Sequence, residues 1–171
     1  KSKRLRIELN MKLTIKDQIP DIEIFHFVDG ESQKNKLREI LGKDKIILFG
    51  LPGAFTSTCS KLHLPGFVAN ADRIKTKGIK NIFCLSVNDP YVMNAWGEIN
   101  NTENKIKMLS DPYLSFTKAI GAEVDRNSKG MGIRSNRYAM VIENLKVISI
   151  QVEKETKECG LTSAESLLNK L

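Results

Sequence analysis

Three short apolar runs place the strongest limit on how this chain can fold. They are KIILFG (45–50), NIFCLSV (81–87) and KIKMLSD (105–111). The first two are continuous rather than alternating, the pattern of strands covered on both faces. Each run is followed by a segment with helical spacing. LPGFVANADRIKTKG places Leu64, Phe67, Ala71 and Ile74 on one side and ends at Gly78. NDPYVMNAWGEIN offers Asn88 or Asp89 as N-cap, Pro90 in the first turn, and Val92, Met93 and Trp96 facing inward. PYLSFTKAIG (112–121) follows the third run. Parallel strands need crossovers of this length, usually helical ones.

The flanks complete the pattern. DIEIFHFV (21–28) alternates as a half-buried strand, and SQKNKLREILG (32–42) reads as a short helix closed by Gly42. YAMVIENLKVISIQV (138–152) predicts a hairpin turning at Glu143–Asn144. In the last segment, Thr162 and Glu165 stand at capping-box spacing before an apolar helix. The order β-α-β-α-β-α-β-β-α predicts an α/β domain with a mixed central sheet and helices on both faces. A thioredoxin-like fold is the simplest arrangement that fits.

Charge divides the chain into a basic extension, residues 1–12, and one domain, residues 13–171. Of the net +7, the first 12 residues carry +4, from Lys1, Lys3, Arg4, Arg6 and Lys12 against Glu8. The remainder carries only +3 and has no basic run interleaved with aromatics, so no nucleic-acid partner is expected. No apolar run is long enough to cross a bilayer, so no membrane role is expected. The basic, acid-poor start also fits the remnant of a transit peptide. Three cysteines, Cys59, Cys84 and Cys159, without a CxxC, exclude a disulfide scaffold and a zinc knuckle. They point to a reducing compartment and to cysteine chemistry, with no metal and no cofactor expected.

The segment LFGLPGAFTSTCSKLHLPGF (48–67) carries that chemistry. It places Cys59 where a buried strand gives way to a helix. Unpaired N–H groups and the helix dipole favour a thiolate there. Thr56, Ser57 and Thr58 precede it as capping hydroxyls, and Pro52–Gly53 allow a sharp turn with close approach of a ligand. These parts suit an activated thiolate. They also suit an N-cap cluster beside an inert core cysteine, and local pattern alone leaves both open. GxxxxGK[ST] fails because Phe55 and Thr58 occupy its glycine positions. His63 shares a helix face with Cys59, but no further ligand completes a metal site, so local packing or hydrogen bonding is expected of it.

The stretch PGAFTSTCSKLHLPGF closely resembles the active-site signature of type-five (plant type II) peroxiredoxins, with Pro52, Thr56 and Cys59 in register. CLSVNDPYVMNAW (84–96), GIRSNRYAM (132–140) and GLTSAESLL (160–168) resemble further blocks of that subfamily, in order. Ser57–Thr58 depart from the Pro-Gly of many members. The resemblance implies a thiol peroxidase acting on hydrogen peroxide and small alkyl hydroperoxides. It assigns Cys59 as the peroxidatic cysteine, Thr56 as the hydroxyl that orients peroxide, Pro52 as a shield of the pocket, and Arg137 as the cation brought to the thiolate. Arg134, three residues earlier, is a second candidate. Gly53 and Phe55 are expected at the substrate pocket; Phe55, Leu51 and Phe116 offer apolar surface for an organic peroxide, although aromatics at such spacings are more often core.

Resolution of the sulfenic acid has three candidates. Cys84 and Cys159 are possible resolving cysteines; some members use a position where this chain has Ser163. The route favoured is an external thiol, glutathione with glutaredoxin, or thioredoxin. The resemblance also implies a homodimer and a cytoplasmic or organellar (plastid-like or mitochondrial) location. The rival reading is a thioredoxin-fold thiol–disulfide oxidoreductase, whose CxxC is missing.

Overall fold

The computed structural model describes residues 11–171, so residues 1–10 of the basic extension lie outside the described residues. Within the remaining two residues of that extension, Met11 packs on the core and the Lys12 N–H donates to the Ile120 carbonyl at 2.7 Å.

Seven strands form one sheet in the order β2-β1-β5-β4-β3-β8-β9. Its centre is the trio expected from the apolar runs: β3 (Ile46–Leu51), β4 (Ile82–Ser86) and β5 (Lys107–Ser110), all parallel. The hairpin β8 (Tyr138–Glu143) and β9 (Lys146–Val152) adds antiparallel to β3. Its turn falls at Asn144–Leu145, one residue later than the sequence suggests, with both residues at positive φ. The pleat sends Ile47, Phe49 and Leu51 to one face and Ile46 and Leu48 to the other. Each face is covered by helices, which is the thioredoxin-like α/β arrangement.

One segment departs from expectation. Residues 31–36 form a strand, β2 (Glu31–Lys36), paired along its whole length with β1 (Glu23–Val28). Only Leu37–Leu41 is helical, as α1. The signal was the Asp29–Gly30 pair, whose φ values of +52° and +80° make the two-residue turn that favours a hairpin. That turn overrides the weak helical pattern of SQKNK.

The longer helices lie as expected. α2 (Leu64–Thr76) buries Leu64, Phe67, Ala71 and Ile74. α3 (Pro90–Ile99) is capped by Asp89, whose side chain accepts from the Val92 N–H, and buries Met93 and Trp96. α4 (Ser115–Ala119) follows β5. A small hairpin of β6 (Glu123–Asp125) and β7 (Ile133–Ser135) was not foreseen. The last helix, α5 (Ala164–Leu168), uses Ser163 as its N-cap rather than Thr162. The Thr162 hydroxyl is engaged elsewhere, on the buried carboxylate of Glu153.

Gly50 of β3 lies opposite Tyr138 of β8, with the ring folded over its Cα. A Cβ at this position would overlap the ring carbons and hydroxyl of Tyr138. Overpacking of this kind costs about 1–3 kcal/mol. Gly50→Ala is therefore expected to lower the urea midpoint by that equivalent. An unchanged midpoint would show that the ring has room to move aside.

Candidate active site

β3 ends at Leu51 and delivers the chain into the 52–58 loop. The Ala54 N–H donates to the Asn88 side chain at 2.9 Å, and Ser86 donates to the same oxygen at 2.7 Å, so the loop is tied to the end of β4. Phe55 is held at φ +64°, an uncommon conformation for a bulky residue. Helix begins at residue 57, and Cys59 lies in its first turn. The turn is widened: Cys59–His63 is a π-helical segment, in which the Leu64 N–H reaches back five residues to the Cys59 carbonyl. Such a bulge in a helix often marks a functional position. Trp96 Nε1 donates to Ser60 at 3.1 Å and pins this turn against α3.

The helix start buries the Cys59 side chain completely, and Arg137 meets it there. Arg137 sits between β7 and β8 and is only 1% exposed, unlike the solvated arginine that its sequence context alone would suggest. Its guanidinium serves three acceptors. Nη2 donates to Cys59 Sγ at 3.0 Å, Nη1 to His63 Nδ1 at 2.8 Å, and Nε to the Thr156 carbonyl at 3.0 Å. His63 is equally buried, and its Nε2 donates to the Thr162 carbonyl at 3.0 Å. The imidazole therefore positions the guanidinium. Its pKa is pushed down to about 3, first by burial and then by the adjacent Arg137, against the raising effect of the Thr162 carbonyl.

The other expected residues sort clearly. Pro52, Phe55 and Thr56 line a cavity of about 420 Å³ whose wall includes Arg137. Gly53 contributes its carbonyl, which accepts from the Thr56 hydroxyl at 2.7 Å. Thr56 thus commits its proton to the backbone, so toward a substrate it acts as an acceptor. Leu51 and Phe116 are fully buried and do not line the cavity. Arg134 is held away from the sulfur by the Met131 and Val87 carbonyls. Cys84 is fully buried in mid-strand between Phe49 and Met108, and burial pushes its thiol well up. Cys159 is half-buried, its thiol raised mainly by burial with Arg137 acting in the opposite direction. A larger cavity of about 920 Å³ beside β1 and α3 shares no residue with this site.

Of residues 153–162 the sequence singled out only Cys159 for the site, as a possible resolving cysteine; the loop's main-chain part in it is new. Glu153 closes this loop on itself, its Oε1 accepting from the Leu161 and Thr162 N–H groups at 2.6 and 2.8 Å. Between those ends the loop gives the Thr156 carbonyl to Arg137, the Lys157 carbonyl to Thr58 and the Thr162 carbonyl to His63. Carbonyl acceptors leave no mark in a sequence. Of the side chains that these carbonyls engage, His63, four after Cys59, carried a spacing signal.

A thiol and a buried guanidinium in contact beside a cavity suit thiol redox chemistry. The Redoxin family model matches residues 14–168. Peroxiredoxin-2D of Arabidopsis thaliana is 42% identical over 160 residues, covering 93% of this chain and 98% of the relative. Peroxiredoxin-2E-2 of Oryza sativa, named as chloroplastic, is 38% identical and covers 93% and 72%. Reduced Prx3 of Vibrio vulnificus, in complex with H2O2, superposes with a TM-score of 0.87 at 39% identity, covering 92% and 98%. The chain belongs to the Redoxin family and within it to the peroxiredoxins, the thiol-dependent peroxidases.

Proposed function

We propose that Cys59 is the peroxidatic cysteine, with Arg137, Thr56 and Pro52 as its working partners. The observation that carries this reading is the burial of Arg137 against the Cys59 sulfur. A buried cation requires a compensating anion. The two ion pairs found among the described residues are both on the surface, and neither includes Arg137. The sulfur, as thiolate, is the group placed to supply the charge.

The reaction follows from this placement. The thiolate attacks one peroxide oxygen in line, an S–O bond forms and the O–O bond breaks. The product is Cys59 sulfenic acid, and the departing alkoxide or hydroxide takes up a proton. Arg137 stabilises the charge that develops on the departing oxygen. Thr56, its hydroxyl proton held by Gly53, accepts from the O–H of the peroxide and orients it. Hydrogen peroxide and small alkyl hydroperoxides are the substrates this site would take. Phe55, which lines the cavity, supplies apolar surface for the latter.

The test is to mix reduced protein with one equivalent of hydrogen peroxide and follow each thiol by rapid-quench mass spectrometry. Fast sulfenic acid formation at Cys59, with Cys84 and Cys159 untouched, is expected. Oxidation at Cys59 no faster than at an ordinary free thiol would remove the assignment.

For resolution we favour an external thiol, glutathione with glutaredoxin. Cys84 shares a core layer with Cys59, but it is fully buried in mid-strand. Burial pushes its thiol well up, which disfavours the thiolate that would have to attack the sulfenic sulfur. Cys84→Ser and Cys159→Ser are each expected to keep turnover with glutathione and glutaredoxin. Loss of turnover in either variant, with peroxide reactivity intact, would identify that cysteine as the resolving one. Exposed Phe55, Tyr91 and Tyr113 support a homodimer formed near the active-site loops, which sedimentation would detect. A reducing cytoplasmic or organellar compartment fits the unpaired cysteines and the chloroplastic relative.

A further inference from the structure

The cavity beside Cys59 holds more positive charge than peroxide chemistry needs. Its wall carries Arg126, Lys129, Arg137 and Lys157, and no aspartate or glutamate among the described residues lines it. Two of these cations are already committed. Arg137 is engaged with Cys59, His63 and the Thr156 carbonyl. Lys157 pairs with Glu155 at 3.3 Å. Arg126 and Lys129 make no ion pair among the described residues. The Arg126 Nη1 donates to the Thr156 hydroxyl at 2.9 Å, which fixes the guanidinium at the cavity wall. Its Nε is buried and has no acceptor. An unpartnered buried donor of this kind calls for an explanation.

Peroxides are uncharged, so neither cation serves the first half of the reaction. The second half brings a thiol. A guanidinium held in place is suited to a carboxylate through paired hydrogen bonds, and an ammonium on the neighbouring turn adds a flexible point charge. We propose that Arg126 and Lys129 form the docking site for the carboxylates of a small anionic thiol of the glutathione class, which reduces oxidised Cys59. This rests on the reading of Cys59 as the peroxidatic cysteine. In the step it serves, the thiolate attacks the sulfenic sulfur of Cys59. An S–S bond forms, the S–O bond breaks, and the oxygen leaves with a proton as water. The product is the mixed disulfide at Cys59.

The experiment compares thiols of different charge. Protein oxidised with one equivalent of hydrogen peroxide is mixed with glutathione or with uncharged 2-mercaptoethanol, and mixed-disulfide formation at Cys59 is timed by rapid quench. The readout is the ratio of the two rates in the parent chain and in the double variant Arg126→Gln/Lys129→Gln, so the intrinsic reactivity of each thiol cancels. The ratio is expected to fall about tenfold in the variant, the loss of two partly exposed charge contacts. The parent ratio should also fall with rising salt. A ratio equal in parent and variant overturns the site. Lys129 lies exposed on a turn, so Lys129→Gln alone, with a drop of about threefold, serves if the Arg126 exchange unfolds the chain. Failure of the parent to form sulfenic acid at Cys59 is a different result, and it would remove the peroxidatic assignment itself.

Discussion

The Arg137→Met variant is expected to react with hydrogen peroxide about 100- to 1000-fold more slowly than the parent chain, although Cys59 remains in place. Methionine keeps much of the apolar stem and loses the cation. The loss falls on the transition state, where charge builds on the departing oxygen and the donor at 3.0 Å from the sulfur is gone. The ground state also suffers. His63 Nδ1 and the Thr156 carbonyl each lose a buried donor, at a cost of about 1–3 kcal/mol apiece. The rate must therefore be measured where the variant is folded by circular dichroism, with Cys59→Ser as the baseline of no reaction. Arg137→Lys should recover only part of the rate, because one ammonium on a flexible stem cannot match three acceptors in one plane. A methionine variant within tenfold of the parent would show that the guanidinium is structural.

Legibility from the sequence follows the range of the interactions involved. The buried strands β3 and β4 and the helices α2 and α3 were readable because hydrophobic spacing and a local cap determine them. β2 was misread because its residues are largely exposed, and its pairing is dictated by the Asp29–Gly30 turn rather than by apolar alternation. The same divide runs through the candidate active site. Pro52, Thr56 and Cys59 occupy eight consecutive positions and could be seen as a unit. Arg137 gave no local sign, since an arginine before a strand is ordinarily solvated, and only the resemblance to a family pointed to it. The 153–162 loop acts through main-chain carbonyls that any residue could offer. What selects it is the Glu153 carboxylate, which holds the loop closed from within.

His63 ties that loop to the chemistry, and it makes the protein's stability depend on pH in a window set by one proton. Nδ1 already accepts from Arg137 and Nε2 donates to Thr162, so the neutral ring is fully engaged. A second proton would face the guanidinium within a fully buried pair. This accounts for a folded-state pKa of about 3 against an ordinary value of 6.5. Between those values the unfolded chain binds a proton that the folded chain refuses, so stability rises with pH there. The contribution is complete above pH 6.5. It is lost as pH falls, at about 1.4 kcal/mol for each unit and roughly 4 to 5 kcal/mol by pH 3. Carboxylates begin to titrate in the lower half of that range, so the clean interval is pH 6.5 to 5. There the urea midpoint of the parent chain should fall steadily. In His63→Gln, whose amide can still accept from Arg137 and donate to Thr162 but cannot titrate, the midpoint should stay level. A parent midpoint unchanged across that interval would mean that the ring is not held neutral. The guanidinium would then need another partner to keep it on the Cys59 sulfur.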